Sequence, residues 1–147
     1  MIDPEIDVQS PSWERYAWSE WQRLDHARGA NTPGLYRLRC YQQTGLIYLG
    51  ETGDSLRGRF RQLRKAMEYA KQGRYAAQGK VGGPPHVAGG CVWKHVCAWR
   101  VIEVSWTETA NLDKRERMGV ECDLIAAYRK AMGASPACQS AGDLKDA

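Results

Sequence analysis

Behind Ser10-Pro11, a cap followed by a first-turn proline, Trp13, Tyr16, Trp21 and Leu24 recur at helical spacing. The pattern predicts a helix from about Pro11 to His26 whose aromatic stripe covers a core. Gly29-Ala30-Asn31-Thr32-Pro33-Gly34 ends it. Leu35 to Tyr41 and Leu46 to Gly50 are then short, rich in tyrosine and leucine, and separated by Gln42-Gln43-Thr44-Gly45, the pattern of a β-hairpin.

Gly53-Asp54-Ser55 leads into a second helix, from about Asp54 to Gln72, with Leu56, Phe60, Leu63 and Met67 on one face. Gly79 to Gly90 holds five glycines with Pro84 and Pro85 and reads as a long surface loop. Trp99 to Trp106, β-branched and aromatic, suits a third strand, and a last helix runs from about Leu112 to Met132 until Gly133 and Pro136 end it. The order predicts an α/β (α+β) domain, a small and mostly antiparallel three-stranded sheet flanked by helices. At 147 residues the chain has the size of one domain. Within it, residues 1–30 form an aromatic helix packing on the core, 31–140 the body, and 141–147 a flexible tail.

Composition narrows the class. Apolar runs such as Leu46 to Leu49 are too short to span a bilayer, and Met1-Ile2-Asp3-Pro4-Glu5 has neither the basic start nor the apolar stretch of a secretory signal. A soluble, cytoplasmic protein without a membrane partner is expected. Five cysteines, Cys40, Cys91, Cys97, Cys122 and Cys138, form an odd set without a close pair, unlike a disulfide-stapled secreted domain. Cys91, His95 and Cys97 cluster but lack the paired knuckle of a structural zinc site, so free thiols are expected.

The net charge of +4 is mild; its distribution says more. Between Ser55 and Met67 lie Arg57, Arg59, Arg61, Arg64 and Lys65 with no acidic residue among them. They form either a local positive surface suited to phosphates or an ordinary solvated helix face.

Gly34-Leu35-Tyr36, then Tyr48-Leu49-Gly50, then Arg59 early in the following helix, then Glu121 within a late helix, resemble the successive signatures of the GIY-YIG nucleases. The resemblance runs from about Pro33 to Gln139, nearly three quarters of the chain. It implies a GIY-YIG-like fold and a metal-dependent endonuclease hydrolysing phosphodiester bonds in DNA. Tyr36, Tyr48, Arg59, His86 and Glu121 would be its catalytic residues, and Arg57, Arg61, Arg64, Lys65 and Gln139 would contact nucleic acid. One Mg²⁺ (or Mn²⁺) would sit on Glu121. The chain would act as a monomer or homodimer, with specificity arising in the core, from dimerisation or from a protein partner.

The residues bear this out to different degrees. At about 100° per residue, Arg59 alone among its basic neighbours lies beside the apolar stripe, where its guanidinium needs an anion. A scissile phosphate or a structural carboxylate such as Glu51 would serve. Glu121 shares a helical face with Leu124, Ile125, Tyr128 and Met132, so its carboxylate needs compensation from a divalent cation or from Arg117 one turn earlier. Glu116 and Asp123 point away, which favours one metal over two.

The tyrosines depend on register. If Gln43-Thr44-Gly45 is the loop with Gly45 left-handed, Gln42 faces Leu46, even-numbered residues share a face, and Tyr36 and Tyr48 lie together. Tyr36 would accept or relay a proton from the attacking water, with Tyr48 as the alternative base. Ionising an unperturbed phenol at neutral pH costs roughly 4 kcal/mol, so nearby cationic charge must lower its pKa and activity should rise with pH.

Two positions depart from the family pattern. Leu63 stands one turn after Arg59 where histidine or tyrosine is common, with His86 as candidate replacement, and Gln139 stands where asparagine is common. An active endonuclease and a domain that only binds nucleic acid both fit, with a protein-interaction module as a third class.

Overall fold

Seven residues of unbroken extended chain, Gly34–Cys40 (β2), lie between two partners and are buried on both faces apart from half-buried Arg39. The computed structural model describes residues 2–71, 91 and 101–139. Its sheet has four antiparallel strands rather than three, in the order Gln22–Arg23 (β1), Ile102–Glu108 (β4), β2, Tyr48–Thr52 (β3). The extra strand, β1, is only two exposed residues paired to Val104 and Glu103.

The helix expected over Pro11 to His26 does not form. Glu14 and Arg15 adopt left-handed backbone, with φ of 54° and 65°, which an α-helix cannot accommodate, so only a 3-10 turn, Trp13–Arg15, remains. The aromatics still cover a core. Trp13 and Trp18 are buried with Leu35, Leu49, Leu124, Ile125 and Tyr128, and Tyr16 and Trp21 pack against that cluster.

Leu56–Lys71 (α1) begins where Ser55 accepts the Gly58 amide at 2.8 Å, two residues later than expected. The amides of Leu56 and Arg57 are anchored on the carbonyls of Thr32 and Ala30, both at 2.9 Å. Lys114–Met132 (α2) carries a reciprocal capping box between Asp113 and Glu116 and ends at Gly133 as expected, on left-handed backbone. The third expected strand is seen over Ile102–Glu108, two residues past Trp106, while Trp99 and Arg100 lie outside the described residues.

Side-chain parity divides the sheet. Tyr36, Leu38 and Cys40 with Ile102 and Val104 pack under Leu56, Phe60 and Leu63 of α1. Leu35 and Leu49, on the other face, meet α2 and the N-terminal aromatics, giving three layers. In the hairpin, Leu38 pairs with Tyr48 and Tyr36 with Gly50, which is shifted by two residues from the register expected from Gln42 facing Leu46. A shift of two preserves parity, so the two tyrosines still share a face. Gly45 is left-handed as expected, with φ of 84°, and so is Gln42, at 63°.

Arg37 is buried on the second face between the rings of Trp18 and Trp21, at 4.4 and 4.6 Å from their centroids. One guanidinium nitrogen donates to the Val8 carbonyl at 2.7 Å, while Nε and the other terminal nitrogen have no hydrogen-bond partner. Burial lowers its pKa to about 9, with the like charge of Arg39 adding to the effect. The guanidinium stays cationic at neutral pH, and the two indole faces compensate part of its desolvation.

The cysteines correct another expectation. Cys91 and Cys138 form a disulfide across 47 residues of sequence, with Cα atoms 5.6 Å apart. Among the described residues Cys122 carries a free thiol, while Cys97 and His95 lie outside them. No helix among the described residues is long and apolar enough to cross a membrane.

Candidate functional site

Tyr36 from β2 and Tyr48 from β3 stand side by side with ring centroids 6.0 Å apart, and Phe60 of α1 meets the Tyr36 ring edge-on at 5.7 Å. Gly50 makes this arrangement possible. A Cβ there would lie 2.5 Å from the Tyr36 hydroxyl and ring and 2.8 Å from the Tyr48 ring, so the tyrosine tip rests on bare backbone. The two three-letter segments singled out in the sequence are thus one structural unit, in which the glycine of the second receives the tyrosine of the first.

Tyr36 is fully buried and Tyr48 half-buried. Burial pushes the Tyr36 phenol well above the ordinary tyrosine value, with contributions from Tyr48 and from the Glu121 charge; the charge and hydrogen bond of Arg59 only partly oppose the rise. The expected lowering by cationic charge is therefore outweighed by desolvation, and Tyr36 is a neutral hydrogen-bonding phenol at neutral pH.

Arg59 and Glu121 bring the two helices to this tyrosine. Arg59, half-buried on α1, acts on Tyr36 through its positive charge, while its Nε is buried without a hydrogen-bond partner. Such an orphan donor suits an incoming anion. Glu121, half-buried on α2, acts on Tyr36 through its charge. Glu116 and Asp123 are exposed. Among the described residues no three His, Cys, Asp or Glu side chains come together as a metal cage. Glu121 could supply the one carboxylate of a Mg²⁺ shell otherwise filled with water and phosphate.

The alternative partners divide differently from either expected pairing. Arg117 Nε donates to Glu51 Oε2 at 2.6 Å, so Glu51 is engaged by Arg117 and Arg117 by Glu51. The guanidinium lies against Gly53, where a Cβ would come within 2.5 Å of it. Arg117 is one turn before Glu121, so this ion pair fixes how α2 presents Glu121 to the tyrosine strand. The sequence signal was present, a charged residue four before Glu121 on an apolar stripe, but its partner was not legible.

Among the basic residues, Arg57, Arg61 and Lys65 are exposed on α1. Arg64 has other employment. Its guanidinium donates to the carbonyls of Leu24 and Ala27, at 3.0 and 2.9 Å, and ties α1 to the chain before β2.

Gln139 is likewise engaged within the fold. Its buried amide accepts from the Leu49 amide at 3.1 Å and donates to the Leu49 carbonyl at 2.8 Å, pairing with the outer edge of β3 as a peptide group would. Tyr128 does the same one turn of chain earlier, accepting from Leu46 N at 2.9 Å and donating to Leu46 O at 3.2 Å. Leu63 is fully buried against the sheet and offers no polar group, and His86 lies outside the described residues.

A cavity of about 750 Å³ lies elsewhere, between Ile2, Ile6, Val8 and Trp13 of the N-terminal segment and Ala127 and Met132 of α2; none of the four residues above lines it. Its lining is mostly apolar but includes Asp7, Glu14 and Lys130. No protein-family model, curated protein or solved structure matches the chain.

Proposed function

We propose that this chain is a metal-dependent endonuclease of the GIY-YIG type that hydrolyses phosphodiester bonds in DNA. One observation carries the reading: Tyr48 of β3, Arg59 of α1 and Glu121 of α2 all act on the buried Tyr36 of β2. Elements that separate in sequence converge on a single pair of acid–base groups, a cation with an open donor and a carboxylate.

A phosphate would dock on Arg59, whose unpartnered Nε supplies a preorganised donor for charge developing on phosphate oxygen. Tyr36, kept neutral by burial, donates a hydrogen bond and orients rather than removes a proton. Tyr48, the more exposed phenol, would then take the proton of an attacking water. Glu121 would hold the Mg²⁺ or Mn²⁺, which supplies Lewis-acid stabilisation of the phosphate when bound. Arg57, Arg61 and Lys65 would meet the DNA backbone in a salt-dependent manner.

A second reading, a domain that binds nucleic acid without cutting it, is favoured by the raised Tyr36 pKa and by the structural use of Gln139. Incubation of supercoiled plasmid with Mg²⁺ or Mn²⁺ separates the two, with Glu121→Ala alongside. The endonuclease reading expects nicking by the native chain and none by the variant. Retarded but uncut DNA with both supports the binding module.

A further inference from the structure

We propose that the Cys91–Cys138 disulfide is a redox-operated clamp on the outer edge of β3, holding the strand that carries Tyr48 and Gly50. Two consecutive residues line that edge. The Cys138 amide donates to the Ile47 carbonyl at 2.7 Å, and the Gln139 side chain pairs with both the amide and the carbonyl of Leu49. These contacts bracket Tyr48 on either side. Cys138 is buried beside Cys40 and Ile47, so the bond to Cys91 anchors the segment within the core cluster beneath the sheet.

Cys91 is the more accessible half of the bridge, and Cys138 is nearly covered. A dithiol reductant would therefore attack Cys91 Sγ as its thiolate. The S–S bond breaks, Cys138 leaves as a thiolate and takes up a proton, and a mixed disulfide joins the reductant to Cys91. The second thiol of the reductant then displaces Cys91, leaving two protein thiols and one oxidised reductant, a transfer of two electrons and two protons. A bridge with one reachable sulfur suits exchange with a thiol pool.

Once reduced, the edge segment loses its covalent tie and is held by its hydrogen bonds and the burial of Cys138. The Leu49 amide then opens to solvent more often, and with it the strand that positions Tyr48. The clamp itself is independent of the nuclease reading; only its effect on cleavage rests on that reading.

The test uses the full chain, oxidised with glutathione disulfide or reduced with dithiothreitol. Alkylation and mass measurement should count two fewer reactive thiols in the oxidised form than the five of the reduced chain. Hydrogen exchange at Leu49 and Cys138 should quicken on reduction by about tenfold or more while the β2–β4 ladder keeps its rates. Cys91→Ser should exchange quickly in both conditions; should it fail to fold, the reduced native chain gives the same comparison. Five reactive thiols after oxidation, or equal Leu49 exchange in both forms, would overturn the proposal. Plasmid nicking is measured on the same samples. Leu49 responding to reduction while no form cuts DNA leaves the clamp standing and removes the nuclease.

Discussion

Arg117 and Glu51 join α2 to β3 through one ion pair, Nε to Oε2 at 2.6 Å, with side chains only 6% and 20% exposed. Because Glu121 follows Arg117 by one turn, this contact sets the rotation of the helix that carries the candidate metal ligand. Arg117→Met should leave Glu51 as a poorly solvated charge and cost about 3–5 kcal/mol, whereas Arg117→Met with Glu51→Gln should recover much of the loss. Urea unfolding of the single and double variants measures the difference. Equal losses in both would mean that the pair is not coupled.

Tyr36 should not titrate with the ordinary tyrosines. Its phenol lies well above their range because burial penalises the ionised form. An acid whose folded pKa exceeds its unfolded value holds its proton more tightly in the fold. Its stabilising contribution is therefore complete below about pH 10 and is lost as pH rises further. Ultraviolet titration of phenolate in the native chain and in Tyr36→Phe should coincide up to that pH, and the alkaline fall in stability should be shallower in the variant. A phenol missing from the near-neutral part of the variant's curve would show that Tyr36 ionises readily after all.

The buried guanidinium of Arg37 predicts the opposite slope. With its pKa lowered to about 9 by burial, the folded chain binds this proton less tightly than the unfolded one. Its cost is present in full below pH 9 and fades as pH rises through and beyond that value, so this group makes stability increase with pH there. Arg37→Met fills the slot between Trp18 and Trp21 without a charge. The variant should be as stable as the native chain at neutral pH or more so, by up to about 4 kcal/mol, and should lack the alkaline gain. Thermal melts across that range check both points.

Gln139→Ala should act on stability rather than on DNA affinity. The substitution leaves the Leu49 amide and carbonyl without their side-chain partner, a loss of about 1–3 kcal/mol. DNA retardation at fixed salt should be unchanged. Weaker retardation at full stability would return Gln139 to the nucleic-acid surface.

What could be read from the sequence followed local physics. The common face of Tyr36 and Tyr48 survived a two-residue error in register because strand faces alternate, and a left-handed Gly45 and a helix end at Gly133 were readable locally. The first helix was misread because Trp13, Tyr16, Trp21 and Leu24 recur at helical intervals while wrapping irregularly over the second core, and nothing local announces the left-handed Glu14 and Arg15. Strand β1 has no apolar alternation to betray it, since Gln22 and Arg23 are both exposed. The employment of Arg64, Arg117, Gln139 and Cys138 lay beyond reach for a common reason. Each partner is distant in sequence, and the pairing exists only once the sheet has brought the two together.

The cleavage rate of Glu121→Gln on DNA it still binds decides whether this centre cuts. In single-turnover reactions with saturating duplex and Mg²⁺ or Mn²⁺, the native chain should cut. The variant should cut at least about a hundredfold more slowly, with unchanged retardation and unchanged melting. Equal rates for the two proteins would contradict a nuclease centre built on Glu121 and the tyrosine pair.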